Sequence, residues 1–241
     1  MRTLVIGDIH GGLRALHQIM ERAQVTEKDK LIFLGDYVDG WSQSPQVIDF
    51  LIELNLKNDC VFIRGNHDEL LLYWLKDNKD NLMWYNHGGE ATVIAYEKVS
   101  DETKRKHVAF LQELKDYYLD EQQRLFIHAG FTNMNGVNFE YFPKLFYWDR
   151  TLWEMALALD EKMVSSDVRY PKRLTLYNEI YIGHTPVTRI NQSIPVKKAC
   201  IWNVDTGAAF KGPLTIMDID TKEYWQSEPL CNLYFDEKGR N

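Results

Sequence analysis

The sequence is poor in the residues that mark several protein classes. Its three cysteines, Cys60, Cys200 and Cys231, are odd in number, far apart and outside any Cys-x-x-Cys pair. That excludes a disulfide framework and a thiolate zinc site, and it fits a reducing compartment. Glycine (14) and proline (7) are together scarce for 241 residues, which excludes a fibrous or low-complexity chain. No apolar run approaches the length of a bilayer span, and the opening Met-Arg-Thr-Leu-Val-Ile-Gly-Asp is too polar for a secretory core. A cytoplasmic protein with no membrane partner is therefore expected. Positive charge is also short: 28 Lys and Arg against 35 Asp and Glu leave a net charge of −7. A protein that coats nucleic-acid polymers would carry a basic surface, so no such partner is expected. The one basic run, Lys104-Arg105-Lys106-His107, is expected to be a solvated helix face.

What is present suits an ordinary globular chain. A hydrophobic share of 45% excludes disorder as the main state and allows a sizeable core. Leu4-Val5-Ile6, Leu31-Ile32-Phe33-Leu34 and Cys60-Val61-Phe62-Ile63 are short apolar runs that stop at or just before glycine, as buried strands do. Between them Leu13, Leu16, Ile19, Met20 and Ala23, then Val47, Phe50, Leu51 and Leu54, recur at helical spacing. Strands alternating with helices predict a parallel sheet covered on both faces. Further on, the pattern predicts helices over about 87–98, 101–116 and 141–163, a strand over Arg124–His128 and a polar loop over 164–176. Short strands follow at Ile180–Ile182, Ile201–Val204, Leu214–Ile219 and Tyr224–Gln226. With no repeat and no linker, residues 1–241 read as one domain with mixed sheets. His17 and His107 are expected at the surface, Lys197-Lys198 in a loop, and His87-Gly88-Gly89 either at a helix entry or beside a substrate channel.

The chemistry lies where acids, histidines and one asparagine follow the apolar runs. The first run leads into Gly7-Asp8-Ile9-His10-Gly11, the second into Gly35-Asp36-Tyr37-Val38-Asp39-Gly40, and the third into Gly65-Asn66-His67-Asp68. Later runs lead into His128-Ala129-Gly130 and Gly183-His184-Thr185-Pro186. In open α/β sheets the C-terminal edge of the strands is where sites are assembled. Asp8 and His10 are two apart, so a continuing strand would point them to the same side. Carboxylate, imidazole and amide oxygen without thiolate suit Mn²⁺, Fe or Zn²⁺. The donors are too many for one tetrahedral ion, which points to a two-metal hydrolase. Any one of these motifs alone would more often be a turn or a cap. Their joint placement makes the signal specific.

In this order, GDIHG, GDYVDG, RGNHDE, HAG and GHTP resemble the calcineurin-like metallophosphoesterase superfamily. Within it the chain resembles the phosphoprotein phosphatases, and Tyr147-Trp148-Asp149-Arg150 with Asn203-Val204-Asp205-Thr206-Gly207-Ala208 look like their small bacterial and phage Ser/Thr members. The resemblance covers about residues 3–219. It implies an α/β fold, the four-layer α/β/β/α metallophosphoesterase sandwich with two mixed β-sheets. It also implies two divalent metal ions, with Mn first and Fe or Zn as alternatives. Asp8, His10 and Asp36 would hold the first ion. Asp36 would bridge to a second ion completed by Asn66, His128 and His184. His67 would be the general acid and Asp39 the carboxylate that orients it. Arg150 and Asn66 would bind the substrate phosphate, and a hydroxide bridging the metals would attack phosphorus. An imidazole can protonate a leaving alkoxide, and a carboxylate beside it fixes its tautomer.

The chain departs from the family at Gly40-Trp41, where those phosphatases read Arg-Gly and their arginine grips phosphate. Arg169, Lys172 or Arg173 are candidate replacements; Asp68 stands where eukaryotic-type members have Glu. The activity expected first is a phosphomonoesterase of the Ser/Thr protein phosphatase type, acting on a phosphorylated protein, peptide or small phosphoester. The alternative is a nucleotide hydrolase or phosphodiesterase similar to the diadenosine tetraphosphate hydrolases, with Trp41 stacking on a base. A non-catalytic scaffold is disfavoured, because it need not retain the ligand set and His67.

Overall fold

The structure, a computed structural model, describes residues 1–77 and 79–240. Strands β1 (Thr3–Ile6), β2 (Lys30–Phe33) and β3 (Asp59–Phe62) pair in parallel, with helices α1 (Leu13–Arg22) and α2 (Ser44–Leu54) as crossovers. Then come α3 (Asn66–Asp77), α4 (Leu82–Trp84), α5 (Glu90–Tyr96), α6 (Asp101–Gln112), β4 (Tyr117–Leu119) and β5 (Arg124–Ile127). Helices α7 (Leu145–Trp148) and α8 (Thr151–Ala158) precede β6 (Glu179–Ile182), β7 (Val196–Lys198), β8 (Ile201–Asn203), β9 (Thr215–Asp218), β10 (Tyr224–Gln226) and α9 (Leu230–Leu233). The strands form two five-stranded sheets, ordered β10-β9-β1-β2-β3 and β4-β5-β6-β8-β7. Both are mixed: β9 runs antiparallel to β1, and β4 and β7 run antiparallel to β5 and β8.

Each apolar strand is buried on both faces, and its period of two sorts its residues between two cores. In β1, Leu4 and Ile6 pack outward with α1 and α2, whereas Val5 joins the central core. Leu31 and Phe33 of β2 likewise face the helices while Ile32 and Leu34 turn inward. On the second sheet Leu125, Ile127, Ile180 and Ile182 pack outward with residues of α7 and α8, and Phe126 and Tyr181 turn inward. Val5, Ile32, Phe126, Tyr181, Val204 and Met217 thus close the space between the sheets. Helices, sheet, sheet and helices make the expected four layers. Among the described residues no helix is long and apolar enough to cross a membrane.

Several local expectations need correction. The helix expected from residue 87 begins at Glu90, because Gly88 sits at φ +104 and breaks the turn before it. The helix expected over 141–163 is two pieces, with Asp149 extended between them at ψ 141. The helix expected to reach 116 stops at Gln112. Lys197-Lys198 is no loop but the edge strand β7, where alternate exposure suits charged side chains. His107 is fully buried. It lies one turn before Leu111, so the helix carries it inward, where Nε2 is 2.9 Å from Asp49 Oδ1 and Nδ1 is 2.7 Å from the Tyr96 hydroxyl. His17 is exposed, as expected.

Phe126 and Tyr181 stack across neighbouring strands, ring centroids 4.9 Å apart, in the middle of the inter-sheet core. Phe126→Ala is expected to lower the unfolding free energy by about 3–5 kcal/mol, read by urea unfolding at constant metal concentration. A loss well under that range would show that the inter-sheet packing does not carry the fold.

Candidate active site

The strands stop before the site begins. β1 ends at Ile6 and Asp8 and His10 lie in the loop beyond it, so the two do not share a strand face as a continuing strand would require. Four site residues adopt left-handed backbone instead: His10 at φ 52, Asp36 at φ 54, Asp39 at φ 76 and His184 at φ 66. Each such residue costs about 1–2 kcal/mol, and strain of this kind persists only where surrounding contacts over-determine it. Those contacts are present. The Asp36 carbonyl accepts from the N–H groups of both Ile9 (3.0 Å) and His10 (2.9 Å), which ties the first loop to the second. The Asp68 carboxylate accepts from the N–H groups of Asp36, Tyr37 and Gly65, between 2.8 and 2.9 Å, which ties the second loop to the third. Asp68 is therefore a brace between loops, and burial, then the Asp36 charge, pushes its carboxyl up to about 7.

All six expected ligand side chains converge and are buried. Asp8, His10 and Asp36 form one triad able to hold a metal ion and Asp36, His128 and His184 a second, with Asp36 shared. His10 Nδ1 lies 3.0 Å from the Val38 carbonyl, which places the proton there and turns Nε2 to within 3.5 Å of Asp36. His128 Nδ1 is fixed in the same way by the Leu34 carbonyl at 2.8 Å, and its Nε2 stands 3.4 Å from Asp36 Oδ2. Asn66 Oδ1 lies between His128 Nε2 (3.3 Å) and His184 Nδ1 (3.0 Å), so it shares the second triad's space. Position 183 must be glycine, since a side-chain carbon there would come 2.0 Å from Asp8 Oδ1.

The electrostatics call for cations. Burial first, then the charge of Asp205, raises the Asp8 carboxyl well above its usual range. Burial alone would also raise Asp36, but the imidazoles of His128, His67 and His10 outweigh it and hold Asp36 well below. Burial would lower His128, yet the Asp36 and Asp8 carboxylates push it up to about 10. Among the described residues Asp8 Oδ1 and His184 Nε2 are buried with no hydrogen-bond partner. Buried unpaired donors and carboxylates of this kind are what metal ions satisfy, so the donor set fits two hard or borderline divalent ions.

Beside the triads, His67 Nδ1 lies 2.5 Å from Asp39 Oδ2, and its ring stands edge-on to His10 at 5.1 Å. The pairing expected of an acid and its orienting carboxylate is in place. Trp84, which stands in none of the motifs, also donates its Nε1–H to Asp39 Oδ2 at 2.5 Å. The Asp39 N–H is held by the Ser44 and Thr92 hydroxyls. Arg150 is half-buried at the start of α8. The Asp149 carboxylate accepts from Thr151 and Leu152 N–H and fixes that helix start, and Arg150 bonds the Thr185 hydroxyl at 3.1 Å.

His10, Asp36, Asn66, His67, Trp84, Arg150 and His184 line a cleft of about 160 Å³, with Asp205, Arg189, Arg240, Trp148 and Phe210 among its other walls. Three guanidiniums there were not foreseen together: Arg189 and Arg240 carry no motif, and Asp205 was read only as part of one. The suggested replacements for the missing arginine do not reach the cleft. Arg169 pairs with Asp167 in solvent, Lys172 bonds Asn135 and Arg173 bonds the Phe131 carbonyl. Trp41 does not face the cleft either. It is fully buried, donates Nε1–H to the Ala208 carbonyl at 2.7 Å and stacks on Tyr234, so no base can stack on it. The turn at His87 both enters α5 and borders the cleft.

The family model for calcineurin-like phosphoesterases matches residues 1–202. The chain belongs to that family. A relative from Anoxybacillus flavithermus named asymmetrical bis(5'-nucleosyl)-tetraphosphatase PrpE is 31% identical over 98% of this chain and 97% of its own. A Bacillus cereus protein of the same name is 28% identical over 90% of each chain. In fold, the chain is similar to a protein serine/threonine phosphatase from Saccharomyces cerevisiae, with a TM-score of 0.59 and 14% identity over 95% of this chain and 80% of that one. This metallophosphoesterase therefore shares its fold with protein phosphatases and its sequence with proteins named as nucleotide hydrolases.

Because Asp36 belongs to both triads, Asp36→Asn is expected to lower the bound divalent ions from about two per chain to fewer than one, while Asp8→Asn leaves about one. Elemental analysis after dialysis reads this, and equal losses in the two variants would remove Asp36 from its shared position. Ligating imidazoles must shed their protons, and His128 holds its proton up to about 10. Metal affinity is accordingly expected to rise from about pH 6 to about pH 8 in direct titrations.

Proposed function

We propose that the protein is a metal-dependent hydrolase of dinucleoside polyphosphates and related nucleotide phosphoesters. The observation that carries this reading is the charge of the cleft. Three guanidiniums, Arg150, Arg189 and Arg240, stand over one cluster of metal-holding residues. A single phosphomonoester dianion needs fewer, whereas a chain of phosphates matches several. The similarity to proteins named as tetraphosphatases, over nearly the whole chain, supports the same choice over the protein phosphatase expected first from the motifs. Trp148, 38% exposed and lining the cleft, offers a face on which a base can stack at the rim.

In this reading Asp8, His10 and Asp36 would hold one divalent ion, and Asp36, Asn66, His128 and His184 would hold another, with manganese favoured by the mixed N/O donors. When bound, two such ions would supply Lewis-acid polarisation of the phosphoryl oxygens and an activated water at neutral pH. The chain's own residues do the rest. Arg150 grips the phosphoryl oxygens with a charge-assisted pair. His67, its tautomer fixed by Asp39, donates a proton to the departing oxygen. Asp39 is in turn held by Trp84, so the acid's orientation is set by a buried aromatic nitrogen rather than by water.

His67→Asn is expected to lower kcat by about 10²–10⁴-fold on poor leaving groups while metal content stays unchanged, and unaltered turnover would remove His67 as the acid. In side-by-side kinetics, kcat/KM for a dinucleoside tetraphosphate should exceed that for p-nitrophenyl phosphate and a phosphopeptide. The reverse ranking would return the protein-phosphatase reading.

A further inference from the structure

The segment after α9 crosses back over the site. Tyr234 stacks on Trp41 at 5.2 Å, donates its hydroxyl to the Gln43 side-chain oxygen and accepts the N–H of Arg14. Glu237 accepts from both the N–H (2.9 Å) and the hydroxyl (2.7 Å) of Ser42. Gly239, at φ +65, lies where a side-chain carbon would meet the Trp41 ring at 2.7 Å. The N–H of Arg240 then donates to the Ala209 carbonyl at 2.8 Å. Residues 41–43, just beyond the Asp36 loop, are thus the dock for residues 234–240. Trp41 is the anchor of that dock.

The dock delivers a side chain into a space with a defined shape. Gly40 and Gly88 face each other, the N–H of Gly40 bonding the Gly88 carbonyl at 3.0 Å. Added side-chain carbons at these positions would stand 3.2 Å and 2.8 Å from the Arg240 Cγ, so the arginine stem occupies the room the two glycines leave. Its guanidinium lies over the Phe210 ring at 5.4 Å, its stem shares the space at Gly40 with the His10 carbonyl, and it lines the same cleft as Arg150 and His184. Among the described residues Arg240 makes no ion pair, and its Nε is buried without a partner. Burial, then the like charges of Arg189 and Arg240, pushes Arg150 below the usual arginine range. Holding like charges together at this site is unfavourable until an anion comes between them.

We propose that Arg240 grips the transferred phosphoryl group from the His10 side of the cleft, opposite Arg150, through the opening that Gly40 leaves. The inference rests on the cleft being a phosphoryl-transfer site, and not on which phosphoester is the natural substrate. Specificity follows from the route: the group reaches the cleft from a distant part of the chain, so phosphate binding depends on the docking of residues 234–240.

The test is binding of inorganic phosphate to the metal-loaded protein by calorimetry, together with kcat/KM on p-nitrophenyl phosphate and on a dinucleoside tetraphosphate. Arg240→Ala is expected to weaken phosphate about tenfold or more and to lower both kcat/KM values in parallel, with metal content and Tm unchanged. Arg240→Lys should recover part of the loss, and guanidinium ion added to Arg240→Ala should recover more. Arg169→Ala, which removes an exposed charge outside the cleft, should change nothing. Phosphate affinity within about twofold of wild type in Arg240→Ala overturns the proposal. A loss confined to polyphosphates overturns it too, since the arginine would then hold a neighbouring phosphate. Weakened phosphate binding in a protein that hydrolyses only monoesters supports Arg240 while overturning the dinucleotide reading.

Discussion

Asp36 is the residue on which the two halves of the site depend. Its carboxylate stands between His10 and His128, which come from loops after different sheets. Its backbone carbonyl holds the first loop, and its N–H is held by Asp68 from the third. Oδ1 accepts the N–H of His67, so the placement of His67 is referred to the same group that both candidate metal triads share. A buried carboxylate is costly unless it is paired, and here the pairing is to imidazoles that would turn to metal ions. The same desolvation that makes the empty arrangement expensive makes the loaded one strongly attractive to divalent cations. Metal binding and loop geometry are therefore one energetic problem.

That coupling explains why the site tolerates left-handed backbone at His10, Asp36, Asp39 and His184. Strain of about 1–2 kcal/mol per residue would otherwise relax by moving each ligand away from the centre. Carbonyls and carboxylates of neighbouring loops block that relaxation, and the close approach of Gly183 to Asp8 leaves no slack in which to move. Two sheets packed face to face bring their loops to one edge, so loops from both supply ligands without any strand entering the centre.

The strands and the convergence of the candidate ligands were legible because both signals are local. An apolar run of three or four residues followed by glycine and a donor needs no knowledge of the rest of the chain, and five such cases agree. What was not legible depends on contacts between distant residues. Trp84 bonds Asp39 across 45 positions, and Arg240 reaches the space beside Gly40 from 200 positions away. Nothing in their own neighbourhoods distinguishes them from core or surface. His107 misled for a related reason, since its buried setting is created by Tyr96 and Asp49 on other helices. Gly40-Trp41 looked like the loss of a phosphate-gripping arginine because the family pattern was compared position by position. In three dimensions the pair forms a vacancy and an anchor for another segment.

The net charge of −7 and a cleft lined by three arginines describe different length scales. At physiological ionic strength, charges farther apart than about 8 Å are largely screened. The acids spread over the surface therefore have little influence on an anion already seated among Arg150, Arg189 and Arg240. A long polyanion would also have to lie across that acidic surface and pay repulsion along its length. A short phosphate chain that ends within the cleft avoids it. An acidic exterior and an arginine-lined cleft thus act on different length scales, and the contrast sharpens with every guanidinium the fold brings inward.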